Sequence, residues 1–205
     1  MIGAGSVVFC TTLVNDILAT PALRNAELCL MSRTRRKLDR MTAFVKRMIR
    51  DNGLPATVSS TCDRREALRD ADYVIVMIQV GGVEAFRVDY EIPLKYGVDQ
   101  CIGDSLGPGG IFRGLRTIPV LTALVRDMEE LCPNALLLNY ANPMGICCHA
   151  LGRVSAIPFI GLCHGVQTTL DLISRYVNTP KEHIDHLCAG INHMAWFLTL
   201  RDARS

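Results

Sequence analysis

The sequence of this 205-residue chain lacks several features that would indicate particular classes of protein. No apolar run approaches the ~20 residues of a membrane-spanning helix, so we expect no transmembrane segment. The 22 basic and 20 acidic residues leave a net charge of only +2, which argues against nucleic acids and anionic membranes as partners. The nine cysteines include no Cys-x-x-Cys pair and no signal peptide begins the chain, so we expect reduced thiols and a cytoplasmic location.

Apolar residues, in contrast, are abundant and regularly spaced. They make up 49% of the sequence against 20% charged residues, which excludes a disordered chain because a core can form. The apolar runs predicted as buried parallel strands are Ala26–Met31, Thr57–Thr61, Tyr73–Gln79, Leu136–Tyr140 and Pro158–Cys163. The stretches predicted as helices are Val7–Ala19, Arg36–Asn52 and Leu115–Leu131, with a short helix after Asp63.

This alternation predicts an α/β fold built on a doubly wound, Rossmann-type parallel sheet with right-handed crossovers. Only Met1 and Ile2 precede the first turn, so we expect a truncated first strand. Two later runs, Leu187–Ile191 and Ala195–Leu200, are typical of antiparallel strands in another layer. We therefore expect a dinucleotide-binding domain in residues 1–164. Residues 165–205 would begin an α+β substrate domain whose remainder is absent.

A glycine-containing turn follows the first two residues. Gly3-Ala-Gly5-Ser6 precedes a helical stretch, and glycines there allow a tight turn and let backbone N–H groups approach a pyrophosphate. Val8 stands where the third glycine of a dinucleotide fingerprint belongs, so the motif alone also fits an ordinary tight turn. The surrounding βαβ pattern favours cofactor binding by Gly3, Gly5 and Ser6.

The end of the second strand departs from the pattern of NAD-binding proteins. An acidic residue usually stands there to bind the ribose 2′-hydroxyl, but Ser32 and Arg33 occupy the place and the first acid is Asp39. Because guanidinium groups pair with phosphate, we hypothesise that NADP is accepted as well as NAD, or preferred to it. A solvated basic start of a helix is the alternative.

Two further segments that contain glycine lie near the middle of the chain. Gly81 comes directly after a strand, where strand ends meet ligands in such sheets. The segment Gly103–Gly110 offers backbone N–H groups and the carboxylate of Asp104, and it is followed by Arg113 and Arg116. Its glycine content indicates a loop that recognises substrate or cofactor rather than a packed element, with a flexible connection as the alternative.

Amide, thiol and imidazole side chains follow the later strands. Asn142 comes after the fifth strand, and a side-chain amide can both donate to and accept from a sugar diol. Cys163 and His164 close the sixth strand, and Asn192 and His193 follow a later one. Cysteine and histidine ligate metals, but this spacing is no zinc-finger pattern and by itself favours a buried structural cysteine.

Six motifs occur in a fixed order along almost the whole chain. They are Gly3-Ala-Gly-Ser6, Gly103-Asp-Ser-Leu-Gly-Pro-Gly-Gly110, Leu115-Arg-Thr-Ile-Pro119, Asn139-Tyr-Ala-Asn-Pro-Met144, Gly161-Leu-Cys-His164 and Ala189-Gly-Ile-Asn-His193. Together they resemble glycoside hydrolase family 4, and most closely its α-galactosidase (melibiase) branch. The resemblance implies a fold shared with lactate and malate dehydrogenases, a bound NAD and a divalent metal, usually Mn²⁺.

The resemblance also implies roles for individual residues. Cys163 and His193 would hold the metal, although a soft thiolate is an unusual ligand for Mn²⁺ and suits Fe²⁺, Co²⁺ or Zn²⁺ better. The remaining implied roles are catalysis for His164 and Asp104, substrate contact for Asn142 and Asn192, and cofactor contact for Asn142.

The mechanism that the resemblance implies begins with oxidation of the sugar at C3 by the nicotinamide. Removal of the C2 proton, elimination of the aglycone, addition of water and return of the hydride would follow. The base in the family is a tyrosine beyond the Asn192-His193 motif, and neither Tyr140 nor Tyr176 matches it. We therefore assign no base within the chain. One expectation is that the chain binds the cofactor without being active.

Several alternatives stay open. The pair His164-Gly165 resembles α-glucuronidases, and 6-phospho-glycosidases belong to the same family. The fold also suits a 2-hydroxyacid dehydrogenase, for which Asp104, Arg113 and Arg116 would be poor catalytic groups. A non-catalytic dinucleotide-binding fragment is the last alternative. Relatives that assemble as dimers or tetramers imply a homo-oligomer.

Overall fold

The computed structural model describes residues 1–100 and 105–204, and it contains a parallel sheet with helices on both faces. The parallel strands are β1 (Glu27–Met31), β2 (Thr57–Thr61), β3 (Tyr73–Val76), β4 (Leu136–Asn139) and β5 (Phe159–Gly161). β1 pairs with β2, β3 with β4, and β4 with β5, all in parallel. The doubly wound, Rossmann-type α/β sheet predicted from the sequence is confirmed.

A single residue joins the two halves of this sheet. Ile2 forms parallel bridges to Met31 in β1 and to Val76 in β3, so the spatial order is β2, β1, Ile2, β3, β4, β5. Its N–H donates to the Ile75 carbonyl at 2.7 Å, and its carbonyl accepts from the Met77 N–H at 2.9 Å. Along the chain, β1 and β2 are placed on one side of Ile2, and β3, β4 and β5 are then placed on the other. Ligands bind at such a switch point in open α/β sheets.

Helices cover both faces of the sheet. They are α1 (Val7–Ala19), α2 (Arg35–Asp51), α3 (Arg64–Leu68), α4 (Gly82–Leu94), α5 (Gly107–Leu131), α6 (Met144–Val154) and α7 (Gly165–Val177). Ile75 and Met77 share a core with α1 and α2 on one face, whereas Val74 and Val76 share a core with α5 and α6 on the other. Side chains that alternate along β3 are therefore buried on both sides, as expected of a central parallel strand.

The main difference from the predicted secondary structure lies in the glycine-rich segment in the middle of the chain. The helix expected over Leu115–Leu131 begins at Gly107, inside the segment that was expected to be a loop. Gly109 and Gly110 are buried within its first turns. The expectation that so much glycine indicates a loop rather than packing is therefore wrong for residues 107–110, where the small residues permit close contact.

The last two strands form a separate antiparallel hairpin, as predicted. They are β6 (Ile184–Ile191) and β7 (Met194–Asp202), and they are longer than the sequence indicated. Because Ile191 pairs with Met194, Asn192 and His193 form a two-residue turn at the tip of the hairpin. None of the helices in residues 1–100 and 105–204 combines the length and apolar character needed to cross a membrane.

Candidate functional site

The carboxyl ends of the parallel strands surround a cavity of about 1400 Å³. It is lined by the turn after Ile2 and by the segments that follow β1, β2, β3 and β4. The residues predicted to bind a cofactor all line it: Gly3, Gly5, Ser6, Ser32, Arg33, Gly81 and Asn142. The fold thus gathers them from distant parts of the chain at the switch point of the sheet.

The turn on one wall of the cavity requires glycine at its first position. Gly3 has a φ of +94°, in the left-handed region, and a Cβ there would lie 2.6 Å from the Met77 carbonyl oxygen. The Ser6 N–H closes the turn on the Gly3 carbonyl at 3.1 Å, and the 13-residue helix α1 begins directly afterwards. Val8 is 72% exposed, which explains why a side chain is tolerated in place of a third glycine. The N-terminus of α1 therefore opens on the cavity, where its N–H groups favour an anion.

The segment after β1 forms the neighbouring wall. Ser32 and Arg33 line the cavity as predicted, and Lys37 joins them from the first turn of α2. Lys37 was not identified from the sequence, although its spacing from Arg33, about one helical turn, was a usable signal. Arg35 instead pairs with Asp39 at 2.9 Å, and both side chains are exposed.

An ion pair that no motif indicated holds the segment after β3. Arg116 in α5 pairs with Asp89 in α4, with Nη1 and Nη2 at 2.9 and 2.5 Å from the two carboxylate oxygens. The Asp89 side chain is only 3% exposed, and its hydrogen bonds raise the pKa of the Arg116 guanidinium. Arg116 Nε also donates to the Val80 carbonyl at 3.0 Å and lies against Gly81. The pair therefore anchors one edge of the cavity.

A cysteine and a histidine meet beyond the end of β5. The Sγ of Cys163 lies 3.5 Å from Nε2 of His193, which stands in the turn between β6 and β7. The Gly165 N–H donates to the same sulfur at 3.4 Å. The structure therefore brings together the two residues predicted to hold a metal, which are 30 positions apart in the chain.

The other ring nitrogen of His193 contacts a residue that sequence reasoning missed. Ser105 is buried, and its Oγ lies 2.6 Å from Nδ1 of His193 and 3.4 Å from Oδ1 of Asn192. Gly110 makes room for it, because a Cβ there would lie 2.7 Å from the Ser105 carbonyl carbon. A hydrogen bond at Nδ1 fixes the ring and directs Nε2 at the cysteine sulfur. The only sequence signal was that Ser105 lies within the glycine-rich segment.

Cys163 differs from the cysteines of the protein interior. Burial raises the pKa of the thiols of Cys10, Cys132, Cys147 and Cys148, that of Cys147 to about 12. Burial therefore disfavours the thiolate, which is the form that binds metals, in these four cysteines. Cys163 is half-buried and faces an imidazole, so it is the best candidate ligand of these five.

The spacing of the cysteine and histidine fits two ligands of one metal ion. With metal–sulfur and metal–nitrogen bonds of about 2.3 and 2.1 Å, the donor atoms stand roughly 3.1–3.6 Å apart for angles of about 90–110°. The observed 3.5 Å also fits a thiol–imidazole hydrogen bond. Across residues 1–100 and 105–204, no group of three or more His, Cys, Asp and Glu side chains is placed to hold an ion. Two protein ligands would leave the other positions of an ion to water or substrate.

The remaining predicted residues lie around this pair or outside the structure. His164 is exposed at the start of α7, and Asn192 is half-buried in the hairpin turn. Asn142 lines the cavity, and a Cβ on the nearby Gly145 would lie 3.9 Å from the Asn192 Cβ. The hairpin turn therefore lies close to Gly145 in the first turn of α6, three positions after the cavity-lining Asn142. Asp104, predicted to be catalytic, lies outside the described residues.

Comparison with known proteins places this arrangement in a family. The family model described as family 4 glycosyl hydrolase matches residues 1–179. The α-galactosidases of Rhizobium meliloti and Bacillus subtilis are 42% and 43% identical to this chain over 202 residues. The match covers 98% of this chain but 41% and 46% of those enzymes, so the chain spans less than half the length of these relatives.

A solved structure agrees with the sequence comparison. The 6-phospho-β-glucosidase of Thermotoga maritima, determined with manganese, NAD⁺ and glucose-6-phosphate, superimposes with a TM-score of 0.87 at 27% identity. The superposition covers 100% of this chain and 48% of that one. The family model, the two relatives and the shared fold lead to one conclusion: the chain belongs to family 4 of the glycosyl hydrolases.

Proposed function

We propose that the chain carries the cofactor- and metal-binding part of an α-galactosidase that uses a nicotinamide dinucleotide, NAD or NADP, and a divalent metal, Mn²⁺ or a similar ion. The observation that carries the proposal is that the hairpin turn bearing His193 lies close to Gly145, three positions after Asn142 on the lining of the cavity of about 1400 Å³. The two α-galactosidase relatives support the sugar. The Thermotoga maritima enzyme, solved with NAD⁺ and manganese, supports the cofactors.

The proposal extends to organisation and location. Residues 1–164 would form the dinucleotide-binding domain and residues 165–205 the beginning of the substrate domain, which is supported by the separate sheet of β6 and β7. The lack of a Cys-x-x-Cys pair among the nine cysteines supports a cytoplasmic protein, and the net charge of +2 supports a glycoside rather than nucleic acid or a membrane as its partner. A homo-oligomer, dimer or tetramer, is proposed from the family resemblance.

The residues proposed to bind ligands lie in two places, the cavity and the contact between Cys163 and His193. The turn Gly3–Ser6 and the N-terminus of α1 would bind the pyrophosphate through backbone N–H groups. Asn142, which lines the cavity where it approaches the hairpin turn, would donate to and accept from sugar hydroxyls. Cys163 and His193 would hold the ion, with His193 kept in orientation by Ser105. When bound, the dinucleotide supplies hydride transfer and the ion supplies a Lewis acid.

Three other residues would act directly on the sugar. The imidazole of His164 is exposed beside Cys163, where it would give a proton to the departing glycosidic oxygen. Asn192, whose Oδ1 is 3.4 Å from Ser105 Oγ, would bind a substrate hydroxyl from the hairpin turn. Asp104 is proposed as a further catalytic carboxylate on the preceding segment.

Because no base is assigned within the chain, the proposed activity is tested with nitrophenyl glycosides, NAD⁺ and Mn²⁺ on the chain joined to the part of the Bacillus subtilis α-galactosidase that it does not match. We expect nitrophenol release from the α-galactoside that depends on both additions, and loss of deuterium from substrate C2 to solvent during turnover. Release without the dinucleotide, or complete retention of C2 deuterium, would refute the mechanism. Binding of both additions without release from any glycoside would favour the non-catalytic dinucleotide-binding protein.

The second candidate substrate is an α-glucuronide. The pair His164-Gly165 after Cys163 favours it, because this pair resembles α-glucuronidases. The same assay separates the candidates, since faster release from nitrophenyl α-glucuronide than from the α-galactoside would replace the first proposal with the second.

Removing the hydroxyl of Ser105 should weaken metal binding. We expect Ser105→Ala to lower Mn²⁺ affinity about tenfold, because loss of a group that orients a ligating histidine costs roughly 10–100-fold. Titration calorimetry with Mn²⁺ measures the effect. The Ser105→Thr variant keeps a hydroxyl and should restore most of the affinity. An alanine variant that binds Mn²⁺ as tightly as the wild type would show that Ser105 does not position His193.

A further inference from the structure

We propose that the cavity contains a site for a phosphate on the ribose 2′-oxygen, so that this protein binds NADP more tightly than NAD. The inference rests on the proposed dinucleotide binding and deepens it. It is carried by the wall formed by Ser32, Arg33, Thr34 and Lys37, all of which line the cavity beside the turn Gly3–Ser6.

Ser32 occupies the position of the residue that contacts the ribose in dinucleotide-binding sheets. It directly follows β1, its residue is only 9% exposed, and its Oγ would lie 2.8 Å from a Cβ on Gly5. Its Oγ also accepts the Thr34 N–H at 3.3 Å, which holds the start of the next segment. The pyrophosphate turn and the ribose wall are therefore in contact, and a small neutral side chain stands where a carboxylate would accept a hydrogen bond from a 2′-hydroxyl.

Two cations face the cavity beside Ser32. Arg33 and Lys37 are exposed side chains on its lining, and neither forms an ion pair within the described part of the chain. Lys37 stands in the first turn of the 17-residue helix α2, so the positive end of that helix adds to the same wall. A guanidinium, an ammonium and backbone N–H groups are the groups that bind a phosphate dianion.

The acids near this wall are engaged elsewhere. Asp39, the first acid after β1, pairs with Arg35 on the exposed side of α2. Asp63 lines the cavity, but its Oδ1 accepts the N–H groups of Arg65 and Glu66 at 2.8 and 3.4 Å as the cap of α3. Asp39 therefore does not line the cavity, and Asp63 is oriented by α3 through its Oδ1.

Two other arginines on the cavity are already neutralised. Arg64 and Arg65 both pair with Asp127, and Arg65 also pairs with Glu130 at 2.6 Å. Their charges are balanced within the protein, whereas those of Arg33 and Lys37 are left to a ligand. In the described part of the chain, Arg33 and Lys37 thus contribute positive charge beside Ser32 that no acid balances, at the position where NADP carries a phosphate and NAD does not.

The experiment compares NADP⁺ and NAD⁺ binding to the whole chain by titration calorimetry. We expect NADP⁺ to bind about tenfold more tightly, since hydrogen bonds to charged groups are the strong ones in proteins. Arg33→Ala should lower NADP⁺ affinity about tenfold and leave NAD⁺ affinity within about twofold. Ser32→Asp should reverse the preference, because it restores an acceptor for the 2′-hydroxyl and repels the phosphate.

A matched control separates a built site from general surface charge. Arg40→Ala removes the same charge from the exposed side of α2, away from the cavity lining, and should leave both affinities unchanged. An equal loss of NADP⁺ affinity in the Arg40 and Arg33 variants would overturn the proposal. Tighter binding of NAD⁺ would overturn it too, while leaving the proposed dinucleotide binding intact. If neither dinucleotide binds, both proposals fail.

Discussion

Replacing Cys163 with serine should abolish most divalent metal binding. We expect more than about a hundredfold loss of Mn²⁺ affinity, because a thiolate ligand is replaced by a neutral hydroxyl and even an orienting partner is worth roughly 10–100-fold. Serine can still accept the Gly165 N–H that now bonds to the sulfur at 3.4 Å, so the local backbone should be kept. The loss therefore reports ligation rather than unfolding.

Cobalt provides a direct spectroscopic measurement of this loss. Co²⁺ bound through Cys163 should show a thiolate-to-metal charge-transfer band in the near ultraviolet, and the band should vanish in Cys163→Ser. Cys62→Ser is the matched control, since Cys62 is an exposed cysteine that lies at the end of β2 and away from His193. A band of undiminished intensity in the Cys163 variant would mean that another residue supplies the sulfur.

Removing Arg116 should cause the largest loss of stability. Asp89 would then be left with a side chain that is 3% exposed and without its bidentate partner. Breaking a buried ion pair from one side costs about 3–5 kcal/mol, so we expect Arg116→Ala to lower the free energy of unfolding by that amount. Urea denaturation measures the change, and thermal unfolding should show a decrease of roughly 10 °C in Tm.

Two further variants test the explanation. The double variant Arg116→Met with Asp89→Leu removes both charges together and should recover most of the stability, because an apolar replacement avoids the unpaired buried carboxylate. Arg87→Ala, on the same helix as Asp89, breaks only exposed pairs with Glu84 and Glu91 and should change stability by less than about 1 kcal/mol. If the double variant were as unstable as the single one, the unpaired charge would not be the cause.

The parallel sheet and many of the residues that line the cavity were predictable because both depend on local sequence patterns. Apolar runs marked the strands, and strand ends fixed the positions of Gly3, Ser32, Gly81 and Asn142, which line one cavity. Apolar character reports burial rather than pairing, however. The strand predicted to run from Tyr73 through Gln79 therefore ends at Val76, where the chain loses its neighbours in the sheet.

The contact between Cys163 and His193 and its surroundings were predictable only in part. The spacing of Cys163 and His193 favoured a structural cysteine, and only the family resemblance joined the two residues. Ser105 contacts His193 from 88 positions away, and Arg116 meets Asp89 from 27 positions away. Contacts of this kind arise from the packing of α5 against other elements, so no local motif marks them.

The join at Ile2 has a consequence for how the fold opens. β1 and β2 pair over five residues, and β3 and β4 over four, but the two halves of the sheet meet through one residue and its flanking amides. The core clusters on both faces cross this seam, since Met31 shares one of them with Val74 and Val76 and Leu30 shares the other with Ile75 and Met77. The backbone ladder is therefore thinnest at Ile2, and the amide hydrogens of this join are protected from exchange chiefly by the side-chain packing that continues across it. Because the turn Gly3–Ser6 directly follows the seam, a dinucleotide held there would further slow exchange at the join.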